Sequence, residues 1–98
     1  MTIYQERNES ALTVTLEGRL DTSTAPALEK TLKGSLDGVN ELTLDFAGLE
    51  YISSAGLRVL LSTQKIMNRQ GSMKLKNVSE IIMEILEVTG FSEILTVE

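Results

Sequence analysis

Ser53 and Ser54 stand side by side between an apolar pair, Tyr51 and Ile52, and the run AGLRVLL, which reads as the first turns of a helix. Three chemistries suit serines at such a place. As a helix cap, one hydroxyl accepts a free backbone N–H and contributes about 1 kcal/mol. As a nucleophile, a serine needs a partner base and usually a glycine-flanked turn. Here position 52 is Ile, and the chain has no histidine and no cysteine. Lys65 falls on the polar side of the helical pattern, so the sequence predicts no intrinsic catalysis. As a phosphoryl acceptor, a serine at a helix start gains from unpaired N–H groups and a partial positive charge. Asp21, Asp45 and Glu50 lie in the segments around it, so an added phosphate would change what that edge can bind. Spacing alone leaves the cap and the acceptor both open.

The bulk of the chain narrows the partners. It has 98 residues, 42% hydrophobic, and is expected to form one domain over residues 1–98 with its own core. Without Cys or His the commonest metal ligands are missing, and no cofactor or metal is expected. The formal net charge of −5 argues against direct nucleic-acid binding, which needs clustered Lys and Arg. The first ten residues, MTIYQERNES, lack a signal-peptide pattern, and no apolar run nears the roughly 20 residues that span a bilayer. These features predict a cytoplasmic protein with no membrane insertion.

Periodicity supplies the elements that must position the serines. Leu12, Val14 and Leu16 alternate with threonines, as do Leu42, Leu44 and Phe46 with Thr43 and Asp45, and Met73 and Leu75 with lysines. Thr2–Arg7 reads as a further strand, joined to the second through Asn8, Glu9 and Ser10 in a hairpin. Helices are expected over Thr22–Lys33, with Pro26 near its start and Gly34 past its end, and over Ala55–Arg69, stopped by Gly71. A third is expected after Ser79, with Ile81, Ile82, Ile85 and Leu86 buried and Gly90 beyond its end. Ile94–Val97 suits a short last strand. The order β-β-α-β-α-β-α predicts an α/β fold with a mixed four- to five-stranded sheet and helices mainly on one face, because each strand has only one apolar side.

In such sheets, sites gather at the carboxyl ends of parallel strands. That places LDTS (residues 20–23), AGLEYISSAG (47–56) and KNVS (76–79) on one edge and makes Asp21 a neighbour of Ser54. Gly56 leaves room either for a partner's backbone or for close helix–strand packing. On the helix that follows, Arg58, Ser62, Lys65 and Arg69 form a polar stripe. Val59 and Ile66 fall beside it, either under a neighbouring helix or as an exposed apolar strip suited to docking.

The blocks GRLDTSTAPALE (18–29), LTLDFAGLEYISSAGLRVLL (42–61) and KLKNVSEIIMEILEVTGF (74–91) resemble a STAS domain, most of all the stand-alone bacterial anti-sigma factor antagonists. The resemblance covers nearly the whole chain. It implies that the unphosphorylated form binds an anti-sigma factor that is also a serine kinase, and so frees a sigma factor. It implies that the kinase phosphorylates the serine aligned with Ser54, which ends the interaction, and that a phosphatase reverses this. The preceding position, often Asp in the family, is Ser53 here, and Ser53 is the rival acceptor. Asp21 matches the family's acidic residue at the strand end. The expected partner surface comprises Asp21, Thr22, Ser53, Ser54, Gly56, Arg58, Val59 and Lys65. STAS domains also serve in anion transporters, stressosomes and lipid-transport complexes, which is the alternative reading.

Overall fold

The computed structural model describes residues 1–98. The elements are β1 (Thr2–Asn8), β2 (Ala11–Leu20), α1 (Ala25–Ser35), β3 (Glu41–Ile52), α2 (Ser54–Gln70), β4 (Ser72–Lys76) and α3 (Glu80–Val88), followed by a 3₁₀ turn, Phe91–Glu93. The strands form one sheet in the order β1-β2-β3-β4. β1 runs antiparallel to β2, whereas β2–β3 and β3–β4 are parallel. The expected element order and the mixed sheet are therefore present.

The hairpin pairs Asn8 with Ala11, so Glu9 and Ser10 alone make the turn. Glu9 takes the left-handed φ of 57° that so tight a reversal requires, and Arg7 Nε donates to its carbonyl at 2.9 Å. Along the next strands, period two becomes a face. Leu12, Val14, Leu16, Leu42, Leu44, Phe46, Met73 and Leu75 are buried, while Thr13, Thr15 and Thr43 are half-buried on the opposite side. The helices pack on the apolar face through Leu28 and Leu32 of α1, Leu57, Leu60 and Met67 of α2, and Ile82 and Leu86 of α3. All belong to one core of 23 buried residues. Each fully buried leucine contributes about 1.5–3 kcal/mol, and a one-residue slip of any strand would turn its apolar set to water.

Four expectations need correction. α1 begins at Ala25, not Thr22, and runs through Gly34 to Ser35. The Asp21 carboxylate accepts the backbone N–H groups of Ser23 and Thr24, at 3.0 and 3.2 Å, and so holds Thr22–Thr24 in a turn. Gly34 meets nothing that forces the helix to stop. Second, residues 47–52 belong to β3, so its carboxyl end lies at Ile52 and not at Ala47. β2 and β3 stay paired to Leu20 and Ile52 by absorbing two register shifts, between Thr15 and Glu17 and between Gly18 and Arg19. Third, Ile94–Val97 does not form a strand; it adds only a single parallel bridge from Val97 to Leu75. Fourth, Ile81 is exposed, because the buried side of the short α3 is set by Ile82 and Leu86.

Candidate functional site: the start of α2

Ser53 is the N-cap of α2. Its backbone is extended, and its Oγ accepts from the Gly56 amide at 3.4 Å. Its own N–H donates to the Leu20 carbonyl at 2.9 Å, which ties the end of β2 to the start of α2. Ser54 is the first residue of the helix proper. It is exposed, and its hydroxyl is not used in the cap. No acidic residue occupies the first turn, so the partial positive charge there is not offset by a carboxylate of the helix itself. One serine thus serves the backbone, and the next is presented.

Asp21 follows Leu20, whose carbonyl accepts the Ser53 amide, and so adjoins the segment tied to this helix start. Its Oδ1 accepts from the Ser23 hydroxyl at 2.7 Å as well as from the Ser23 and Thr24 amides. The Ser23 hydroxyl leads in holding the carboxyl below its ordinary 3.8; desolvation opposes it, and the Thr24 and Ser23 amides and the Thr24 hydroxyl add to the lowering. Asp21 Oδ2 lies 3.8 Å from Arg19 Nε, and the Arg19 guanidinium stacks 4.3 Å above the Tyr51 ring. Sequence reasoning missed this Arg19–Tyr51 pair, because the two register shifts that bring them opposite leave no mark in the periodicity.

Between α1 and α2 runs an open groove of about 430 Å³, lined by Thr22, Pro26, Lys30, Lys33, Ala55 and Arg58 among others. Lys33 Nζ pairs with Glu29 at 2.8 Å, one turn away. Lys30 and Lys33 were also missed. They sit on the polar side of α1, and only the packing of α1 on α2 brings them near Arg58.

The remaining candidates divide. Thr22, Arg58 and Lys65 are exposed. Gly56 is buried, and a Cβ there would lie 2.7 Å from Leu20 Cγ and 3.0 Å from Ile52 Cγ1, so the glycine serves helix–strand packing and offers no backbone to a partner. Val59 is 3% exposed, in the core below the groove, so no exposed apolar strip exists at that position. The KNVS segment is also displaced from the site. β4 ends at Lys76 opposite Asp45, and Asn77 Nδ2 donates to Asp45 Oδ1 at 3.0 Å. β3 continues seven residues beyond Asp45 to Ile52. At about 3.3 Å per residue this separates Asn77 from the serines by on the order of 20 Å along the strand. The site is built from two strand ends, not three.

Known proteins place this arrangement in context. The family model described as "Mlab, STAS domain" matches residues 3–96. The anti-sigma-B factor antagonist of Bacillus subtilis (strain 168) is 30% identical over 93 residues, covering 94% of this chain and 85% of that protein. Its counterpart in Listeria monocytogenes is 28% identical over 98 residues, covering 96% and 84%. Among solved structures, an anti-sigma factor antagonist from Mycobacterium paratuberculosis superposes with a TM-score of 0.88 at 23% identity, over 98% of this chain and 83% of that one. The phosphorylated form of the Bacillus cell fate determinant SpoIIAA superposes with a TM-score of 0.77 at 16% identity, over 99% and 91%. At these identities the superpositions establish the fold, and the sequence matches establish the lineage. The chain belongs to the STAS domain family.

Proposed function

We propose that this chain is an anti-sigma factor antagonist controlled by phosphorylation at Ser54. Residues 1–98 act as one binding unit. The unphosphorylated form binds an anti-sigma factor that is also a serine kinase, and a sigma factor is released. Phosphate on Ser54 ends the interaction, and a phosphatase restores it. The observation that carries the choice of Ser54 is the division of labour at α2, where Ser53 Oγ is engaged by the Gly56 amide and Ser54 is exposed. The names of the Bacillus and Listeria relatives support the class of partner.

The physics suits an off switch. A phosphate adds about −1.5 to −2 charge next to the Asp21 carboxylate. The helix N-terminus offsets about 0.3–1 kcal/mol of its cost within the chain, so the fold survives. A partner closing over an unpaired charge meets a desolvation cost of several kcal/mol, so the complex does not. The docking surface is the Asp21–Thr22 turn, the two serines, and the outer side of α2 with Arg58 and Lys65. The chain itself performs no catalysis, since it has no His and no Cys and Lys65 is exposed on α2. It acts in the cytoplasm, without direct contact to nucleic acid. No helix is long and apolar enough to cross a membrane.

The test is reaction with the cognate kinase and ATP, followed by peptide mapping and binding measurements. Phosphate is expected on Ser54. Ser54→Ala should bind and resist modification, and Ser54→Asp should stay folded and lose binding. Phosphate on Ser53 alone moves the assignment by one residue. No phosphate on either serine, with a kinase that does bind, reduces the pair to a helix cap. Membership of the STAS family leaves a second reading, a STAS subunit of a lipid-transport, transporter or stressosome assembly. That reading predicts stable co-purification with such an assembly and no sigma factor release.

A further inference from the structure

α3 carries an apolar stripe that the core engages only in part, at Ile85. Ile81 is 66% exposed and Val88 is 80% exposed, with Ile85 half-buried between them. At spacings of four and three residues these side chains lie along one side of the helix, away from the buried Ile82 and Leu86. With Glu84 and Thr89 they line a shallow apolar groove of about 260 Å³. None of these residues lines the groove between α1 and α2.

The charged residues of α3 all have one sign. Glu80, Glu84 and Glu87 are all exposed, and the helix contains no Lys or Arg. Its last turn has no base to offset the negative end of the helix dipole, where cations are favoured. An exposed apolar stripe with an unneutralised acidic border costs this helix locally and complements a surface of opposite pattern. A second copy docked stripe to stripe would set glutamates against glutamates. An anionic bilayer would be repelled by the same rim.

We propose that α3 is a second docking face, which takes an amphipathic helix of another protein whose Leu or Ile stripe is bordered by Lys or Arg. This surface is separate from the serines, so a partner held there stays bound while the α2 surface is switched.

Two synthetic helical peptides with one identical leucine stripe, bordered by Lys in one and by Glu in the other, test this against the ¹⁵N-labelled chain. The Lys-bordered peptide should bind about ten-fold more tightly, lose that advantage at high salt, and shift amide signals within residues 80–90. The double substitution Glu84→Lys with Glu87→Lys should reverse the preference, and Val88→Asp should abolish both. These positions are exposed, and an unchanged thermal unfolding curve verifies that the fold is retained. Equal affinity for both peptides, shifts confined to α2 or the open sheet face, or a preference unmoved by the double substitution overturns the proposal. Sedimentation showing a dimer lost in Val88→Asp assigns the stripe to a second copy instead. Flotation with phosphatidylglycerol vesicles, lost in Ile81→Asp, assigns it to a bilayer instead.

Discussion

Replacing Ser53 by Ala removes the oxygen that accepts the Gly56 amide and leaves that N–H unpaired in a half-buried position. The expected loss is about 1 kcal/mol in urea unfolding, the usual worth of an N-cap. Ser54→Ala touches an exposed hydroxyl outside the cap and should change stability by less than about 0.5 kcal/mol. Equal effects at the two positions would contradict the division of labour between them. The acidic residues make a second residue-scale prediction. The Asp45 carboxyl is held below its ordinary 3.8, chiefly by the Asn77 side-chain amide, then by the Ala47 amide and by Lys76, against some desolvation. Asp21 is lowered in the same direction. For a carboxyl whose native value is depressed, the stabilisation is present above the unfolded value and is lost as pH falls through the native one. Urea midpoints should therefore drop below about pH 4, and Asp45→Asn with Asp21→Asn should flatten that acid limb. An acid limb of wild-type steepness in the double variant would show that other groups carry it.

Glycine gives the element scale opposite signs at two positions. Gly71 ends α2 with its N–H on the Met67 carbonyl at 2.7 Å, and a Cβ there would overlap the Asn40 carbonyl, which also accepts the Ser72 amide at 2.9 Å. Gly71→Ala must push α2 and β4 away from the loop before β3, at a cost of about 1–3 kcal/mol. Gly34 lies within α1 with open space around it, so Gly34→Ala should gain about 0.5–1 kcal/mol from helix propensity. Thermal unfolding of the two variants should shift in opposite directions, and a stabilised Gly71→Ala would refute the packing account. The same pair shows what was legible in the sequence. Gly71 reads correctly as a stop because close packing lies behind it, whereas Gly34 only resembles one. Strand alternation set the sheet face for β2, β3 and β4, since burial enforces period two. The start of α1 was misread because the Asp21 carboxylate and carbonyl hold Thr22–Thr24 in a turn ahead of the helix, and such a side-chain-held turn leaves no mark in the apolar periodicity. The length of β3 was misread because the two register shifts break the alternation beyond Phe46.

For the whole molecule, the meeting of Leu20 with the serines was legible, because it follows from parallel strand order alone. The exclusion of Asn77 from the site was not, because it depends on β3 outrunning β4. The burial of Val59 and Gly56 was legible only as one of two readings, because it depends on how closely α1 and β2 approach α2. The exposed charges on α2, Arg58, Lys65 and Arg69, are all positive, and they stand on a chain of net charge −5. Arg58 and Lys65 are seven residues apart, hence about two turns apart on one side of the helix. A local positive strip on an acidic molecule steers an acidic partner surface toward the serine edge. Such rim charges act mainly on the association rate and are screened by salt. Arg58→Glu and Lys65→Glu together should slow association with the cognate anti-sigma factor by about ten-fold at low ionic strength, with the difference shrinking toward 1 M salt. Both side chains are exposed and outside the core, so thermal unfolding should stay within about 0.5 kcal/mol of the parent. Association measured by stopped flow across a salt series separates the outcomes. A slower rate that converges with the parent at high salt places α2 in the docking surface, and rates unchanged at every salt concentration remove it.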